Sequence, residues 1–182
     1  MIARLALLGA VSLVTMGAQS SCSSTNGEGR LEINDPPASG MDPTFTATLV
    51  LKDSSGALKN SFQRGELITM ELSVRNRTDQ IQRLTFADGG QHDFLVFNNG
   101  THQLRWRWSD DKVFVQVTTE LTFQPQETRT VSVTWDQVVA SGLVLLPGPY
   151  EARGMMMRMG PEADLQAPNE RASTLVPFTI TP

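Results

Sequence analysis

In LITMELSVRN, residues 67–76, Ile68, Met70, Leu72 and Val74 alternate with Thr69, Glu71, Ser73 and Arg75. The same beat recurs at Phe45, Ala47, Leu49 and Leu51 against Thr46, Thr48 and Val50. It returns at Val131, Val133 and Trp135 against Thr130, Ser132 and Thr134. A period of two places alternate side chains on opposite faces of a pleated strand, so one face is dry and the other wet. No long stretch carries a helical period; only DQVVASGLVL, residues 136–145, has room for a turn or two of helix. Turn-forming clusters separate the runs: DSSG at 53–56, NRTD at 76–79, ADGG at 87–90, NNG at 98–100, SDD at 109–111 and QPQE at 124–127. Seven to nine short strands at this spacing predict an antiparallel two-sheet sandwich over residues 45–182.

The first 44 residues read differently. Met1–Arg4 supplies one positive charge, and the uncharged stretch Leu5–Ala18 is too short to rest as a membrane-spanning helix. With the small residues of AQSS behind it, this is the pattern of an export signal over residues 1–21. Cys22 is the chain's only cysteine, so no intrachain disulfide can form. Its place directly behind the apolar stretch matches bacterial lipoprotein processing, in which that thiol is acylated and becomes the new N-terminus. Gln19 stands three residues ahead of it, where such signals usually carry Leu, which leaves an unacylated secreted form as the alternative. Residues 22–44, rich in Ser, Gly, Pro and Asp, form the expected flexible tether. The expected location is thus the bacterial cell envelope, the periplasm or the exterior, with membrane contact only through the N-terminal lipid.

Removing residues 1–21 takes away one of 15 basic residues and none of 19 acidic ones, leaving a net charge of −5. A mildly acidic surface without a Lys/Arg cluster argues against nucleic acid and anionic membranes as partners. About 160 residues remain, enough for one domain with a real core.

The strands follow one another in a recognisable order. LSVRNRTDQIQRLTF (72–86) is a strand ending in Asn, a polar turn and a strand ending in Phe. GGQHDFLVFNNG, LRWRWSDDKVFVQ, LTFQPQETRTVSVTW and LPGPYEARGMM come after it. This succession resembles the BsuPI-type intracellular proteinase inhibitor family over residues 66–158, with Trp106-Arg107-Trp108-Ser109 as its most specific element. The resemblance implies an immunoglobulin-like β-sandwich. It also implies a structural signature of Asp93, Phe94, Trp106, Trp108, Ser109, Phe114, Trp135 and Tyr150, and a protein partner of the protease class. Gln126 stands where the family favours Gly, and His92 where it favours an aromatic residue. A docking loop would be presented at one end of the sandwich, with ADGGQH (87–92) and FQPQE (123–127) as candidates.

Chemistry-bearing residues are sparse. Leu104, Trp106 and Trp108 are expected on one face of a central strand and Arg105 and Arg107 on the other, the indoles joining Trp135 in the core. The alternative, an exposed aromatic-basic platform, is opposed by Asp110 and Asp111 if the ligand is anionic. Asp93 adjoins His92, but strand neighbours point to opposite faces, so a catalytic pair is disfavoured. Asp93 is expected to accept loop N–H groups or to pair with an arginine such as Arg107. There is no G-x-S-x-G, H-E-x-x-H or phosphate-loop motif, so no catalytic residues, metal or cofactor are assigned. The compositional oddity is RGMMMRMGPE, residues 153–162. As a strand it would put Met155, Met157 and Met159 on one face, an alternative copper(I) site completed by His92 or His102. The competing role is core filling by flexible thioethers.

Overall fold

The computed structural model describes residues 43–157 and 164–182. The signal segment, Cys22, nearly all of the tether and Met159 lie outside the described residues.

Ten strands run through these residues: β1 (Phe45–Lys52), β2 (Ser61–Gln63), β3 (Ile68–Asn76), β4 (Gln82–Phe86), β5 (Asp93–Asn98), β6 (Leu104–Arg107), β7 (Thr119–Phe123), β8 (Thr128–Trp135), β9 (Gly148–Met155) and β10 (Val176–Thr181). Among the described residues the helical content is one 3-10 turn, Trp108–Asp111. The architecture is the all-β, immunoglobulin-like sandwich that the alternation and the resemblance predict. The strand count exceeds seven to nine because three-residue β2 is too short to show a period. The 136–145 segment forms no helix; Val138 bridges Val144 across a tight turn closed by Gly142.

One sheet has the order β1-β3-β8, fully antiparallel. The second has the order β2-β10-β9-β5-β6, with β2 parallel to β10 and the other pairs antiparallel. Strands β4 and β7 form a separate antiparallel pair. Strand β10 is thus an interior strand, held between β2 and β9.

The main core joins the inner faces of the sheets. Ile68, Met70, Leu72 and Val74 of β3 meet Phe94 and Val96 of β5, Tyr150 and Ala152 of β9, and Phe178 and Ile180 of β10. In β8, an edge strand, the inward residues Val131 and Val133 are only half-buried and Trp135 is buried. A second, smaller cluster of Leu95, Phe97, Met155 and Ala172 lies on the outer face of β5 and β9. The segment 164–175 covers it, which is why Phe94 through Phe97 is an unbroken apolar run rather than an alternating one. Arg153, almost wholly buried, fastens that cover by donating to Ser173 O (3.1 Å), Leu165 O (2.6 Å) and Ala167 O (2.7 Å). Burial pushes its guanidinium pKa down, partly opposed by Asp164.

Two buried amides tie the loops to the sheets. Asn76 ends β3, accepts from Thr78 N and Oγ1, and donates to Gln80 O and Gln124 O. Gln137, at φ 66, donates to Gln63 O and Glu66 O and accepts from Gly65 N, locking the β2–β3 loop to the chain leaving β8. The Tyr150 hydroxyl donates to Leu146 O at 2.8 Å, four residues upstream, and burial raises its pKa.

Candidate functional site

The region around residues 105–114 is organised by Asp93. Along β5, Asp93, Leu95 and Phe97 point outward and Phe94 and Val96 point into the main core. Asp93 is fully buried. Its Oδ2 accepts from Arg107 Nε at 2.6 Å and Ser109 Oγ at 2.8 Å, and its Oδ1 from Ser109 N at 3.2 Å and Phe94 N at 3.0 Å. An ionised carboxylate with four donors satisfies the rule that a buried charge must be paired and hydrogen-bonded. The two bonds to Ser109 also pull the chain off the strand path and into the 3-10 turn.

This local geometry corrects three expectations. Strand β6 is the edge of its sheet, not a central strand. Trp106 pairs with Val96 and Leu104 with Phe97, so Arg105 is an extra residue in a β-bulge. One inserted residue shifts the alternation by one, sending Leu104 to the outer, exposed side while Trp106 turns inward. Trp108 has left the strand altogether and sits in the 3-10 turn.

Both indoles pack on the core edge and stay half-buried. Trp106 stacks on Trp135 with ring centroids 5.0 Å apart and planes at 26°. The Trp135 indole N–H donates to Val138 O at 2.9 Å. Trp108 stacks on His92 at 4.6 Å, and Phe114 leans on its ring at 6.0 Å. Lys112 Nζ lies 5.6 Å from the same ring and 2.8 Å from Asp111 Oδ1. Burial lowers the pKa of His92, and the nearby Asp93 charge only partly opposes this. The histidine is therefore held neutral, as a flat face against the indole.

The exposed side of these rings is the floor of a groove of about 620 Å³ lined by Leu67, Arg105, Trp106, Trp108, Trp135 and Val139, among others. Its walls are the 3-10 turn and the 136–142 turn. The groove combines flat aromatic surface with Arg105 on one side and Asp110 and Asp111 on another.

The two candidate docking loops differ in character from that surface. In 87–92, Asp88 and Gly90 are buried, the Asp88 carboxylate accepts Gly90 N at 2.8 Å, and Thr119 Oγ1 donates to Asp88 O. The 123–127 turn is polar and clasped: Gln124 N donates to Glu127 Oε2, and Gln126, at φ 60, donates to Arg77 O and Asp79. Neither projects a large apolar side chain.

The segment 113–117 does project such side chains. Between the 3-10 turn and β7, Val113 is 100% exposed, Val115 65% and Val117 58%. Three valines at a spacing of two, without a strand's partner, were the available signal in KVFVQVT.

The methionines divide between the two clusters. Met155 is buried in the outer cluster, Met157 packs beside it, and Met156 is buried in the main core. His102 is engaged with Glu151 at 2.9 Å. Among the described residues, no three or more His, Cys, Asp or Glu side chains are grouped to hold a metal ion. None of their helices is long and apolar enough to cross a membrane.

No curated protein matches the chain. Among solved structures, a β-glucosidase from Listeria innocua in complex with glucose aligns at 11% identity and TM-score 0.38, over 74% of this chain and 16% of that one. The β-glucosidase EmGH1 from Erythrobacter marinus aligns at 12% identity and TM-score 0.40, over 82% and 18%. A CARDB domain from Pyrococcus furiosus, solved in complex with di-metal ions, aligns at 13% identity and TM-score 0.38, over 78% and 97%. The chain therefore spans only a small part of the glucosidases' length, and none of these likenesses bears on activity. The family comparison is of another kind: the model of the BsuPI intracellular proteinase inhibitors matches residues 57–160, more than half of the chain and all of the Asp93–Trp108–Trp135 region. The chain belongs to the BsuPI intracellular proteinase inhibitor family.

Proposed function

We propose that this protein is an exported, lipid-anchored, non-catalytic binding domain, and that the protein it binds and inhibits is a protease. The observation that carries the reading is the half-exposed indole surface of Trp106 and Trp108, on a module whose family is named for proteinase inhibition. Two large aromatic rings at the water boundary are what protein-binding surfaces concentrate, because they give much contact area for little conformational entropy. The acylated thiol of Cys22 and the tether behind it would hold the domain at the envelope surface with room to meet a partner.

The test is direct. Progress curves of subtilisin-like, elastase-like and trypsin-like proteases are followed with the purified protein at micromolar concentration. Slowing of at least one enzyme supports inhibition, and no slowing of any enzyme overturns it. The anchor is tested separately by detergent partitioning of the wild-type protein and its Cys22→Ser variant. Equal partitioning into water would remove the lipid.

A further inference from the structure

We propose that the inhibitory element is the loop Lys112–Thr118, that Val113 enters the primary specificity pocket of the protease, and that the enzyme is one whose pocket takes a small aliphatic side chain. The inference rests on the protease-binding reading above and gives it a residue and a partner class.

A loop that occupies a protease cleft must be extended, because proteases bind substrates as an added strand. It must also be rigid, since ordering a mobile loop on binding costs affinity. And it must offer an outward side chain. Lys112 opens the segment in extended backbone at φ −104 and ψ 143, and the chain runs without turn or bend to Val115 before bending at Gln116 and Val117. In an extended chain neighbours face opposite ways. Phe114 is turned in and half-buried against Trp108, while Val113 is fully solvated.

The loop is braced on both sides of Phe114. Upstream, Lys112 N donates to Ser109 O at 3.2 Å, and its ammonium lies over the Trp108 ring. Downstream, Gly89 N donates to Val115 O at 3.0 Å, and Gln116 Nε2 donates to Phe114 O at 3.0 Å. The fit at Gly89 is close enough that a β-carbon there would lie 2.9 Å from Val115 Cγ2. Trp108 is itself fixed by His92 and by the turn that Asp93 secures. Val113, Val115 and Val117 together put three aliphatic side chains on the surface of one short loop, and exposed apolar patches of this kind mark protein-interaction sites. Lys112 and Trp108 also line the aromatic groove, so an enzyme seated on the loop would lie beside the indoles.

The experiment compares wild-type, Val113→Asp and Val113→Lys proteins against elastase-like, subtilisin-like and trypsin-like proteases. Val113 touches nothing that holds the fold, so all three proteins should share one urea midpoint. Wild-type inhibition of an enzyme with an aliphatic pocket is expected, with the inhibition constant rising at least about 100-fold in Val113→Asp, because a carboxylate would be buried unpaired. Val113→Lys should transfer inhibition to the trypsin-like enzyme. If both variants inhibit as the wild type does, or if wild-type inhibition is confined to trypsin-like enzymes, the loop assignment is wrong while the inhibitor reading stands. If the wild type inhibits no enzyme, the inhibitor reading fails and this inference fails with it.

Discussion

Replacing Asp93 with Ala removes the acceptor of four hydrogen bonds in one step. The carboxylate is fully buried and the Arg107 side chain is 9% exposed, so solvent can do little to compensate. Breaking a buried ion pair by deleting one partner costs about 3–5 kcal/mol, mostly as the desolvation penalty left on the surviving charge. With a urea dependence of about 2 kcal/mol per molar for a domain of this size, the unfolding midpoint should fall by about 1.5–2.5 M with an unchanged slope. Asp93→Asn keeps the shape but turns an NH2 toward a donor, and should cost about 1–3 kcal/mol. Arg107→Met added to Asp93→Ala should recover part of the loss, since the guanidinium that has lost the Asp93 carboxylate is removed with it. Tryptophan emission should shift to the red in Asp93→Ala, because Ser109 no longer holds the turn that carries Trp108. An Asp93→Ala midpoint within about 0.5 M of the wild type, corresponding to about 1 kcal/mol, would refute the claim that this carboxylate organises the site.

Other substitutions test the frame around it. Tyr150→Phe deletes the bond to Leu146 O without changing packing and should cost about 1 kcal/mol in chemical denaturation. Arg153→Met should free the 164–175 cover, read as faster amide exchange at Ser173 and Met156, whose N–H groups bond Gly154 O and Arg171 O across that seam. His92 has a folded pKa below 6.5, so between that lowered value and 6.5 the unfolded chain binds the extra proton. Its contribution to stability is therefore complete above pH 6.5 and declines as the pH falls toward the folded value. His92→Phe should flatten that part of the pH–stability curve while keeping a flat ring on Trp108; an unchanged curve would exclude His92 as the source.

The period of two showed the sheets because each wet-dry alternation is a direct consequence of the pleat. Ile68, Met70, Leu72 and Val74 are all fully buried, where the pattern in β3 placed them. Strand order was not legible in the same way, since nothing in the local pattern of VPFTIT says that it lies beside SFQ. At the site, WRWS drew attention to the right stretch, but the simple alternation was offset by a bulge at Arg105 and ended by the turn at Trp108. Both depend on partners distant in sequence: the register against Val96 and Phe97, and the carboxylate of Asp93. The glutamine at 137 was silent for a related reason, because its three bonds reach back more than seventy residues. The exposure of Val113, Val115 and Val117 is not legible either, because alternating valines carry a strand's pattern whether or not a partner strand lies beside them.

The place of β10 between β2 and β9 has a consequence for how the protein is made. The five-stranded sheet cannot be completed until residues 176–181 have been synthesised, so β2, finished more than a hundred residues earlier, must wait without its neighbour. Contacts of such long sequence separation slow folding and leave unpaired strand edges exposed in the meantime. Until then β2 and β9 each present an unpaired edge where β10 will sit, while the β1-β3-β8 sheet, complete by residue 135, has every strand it needs.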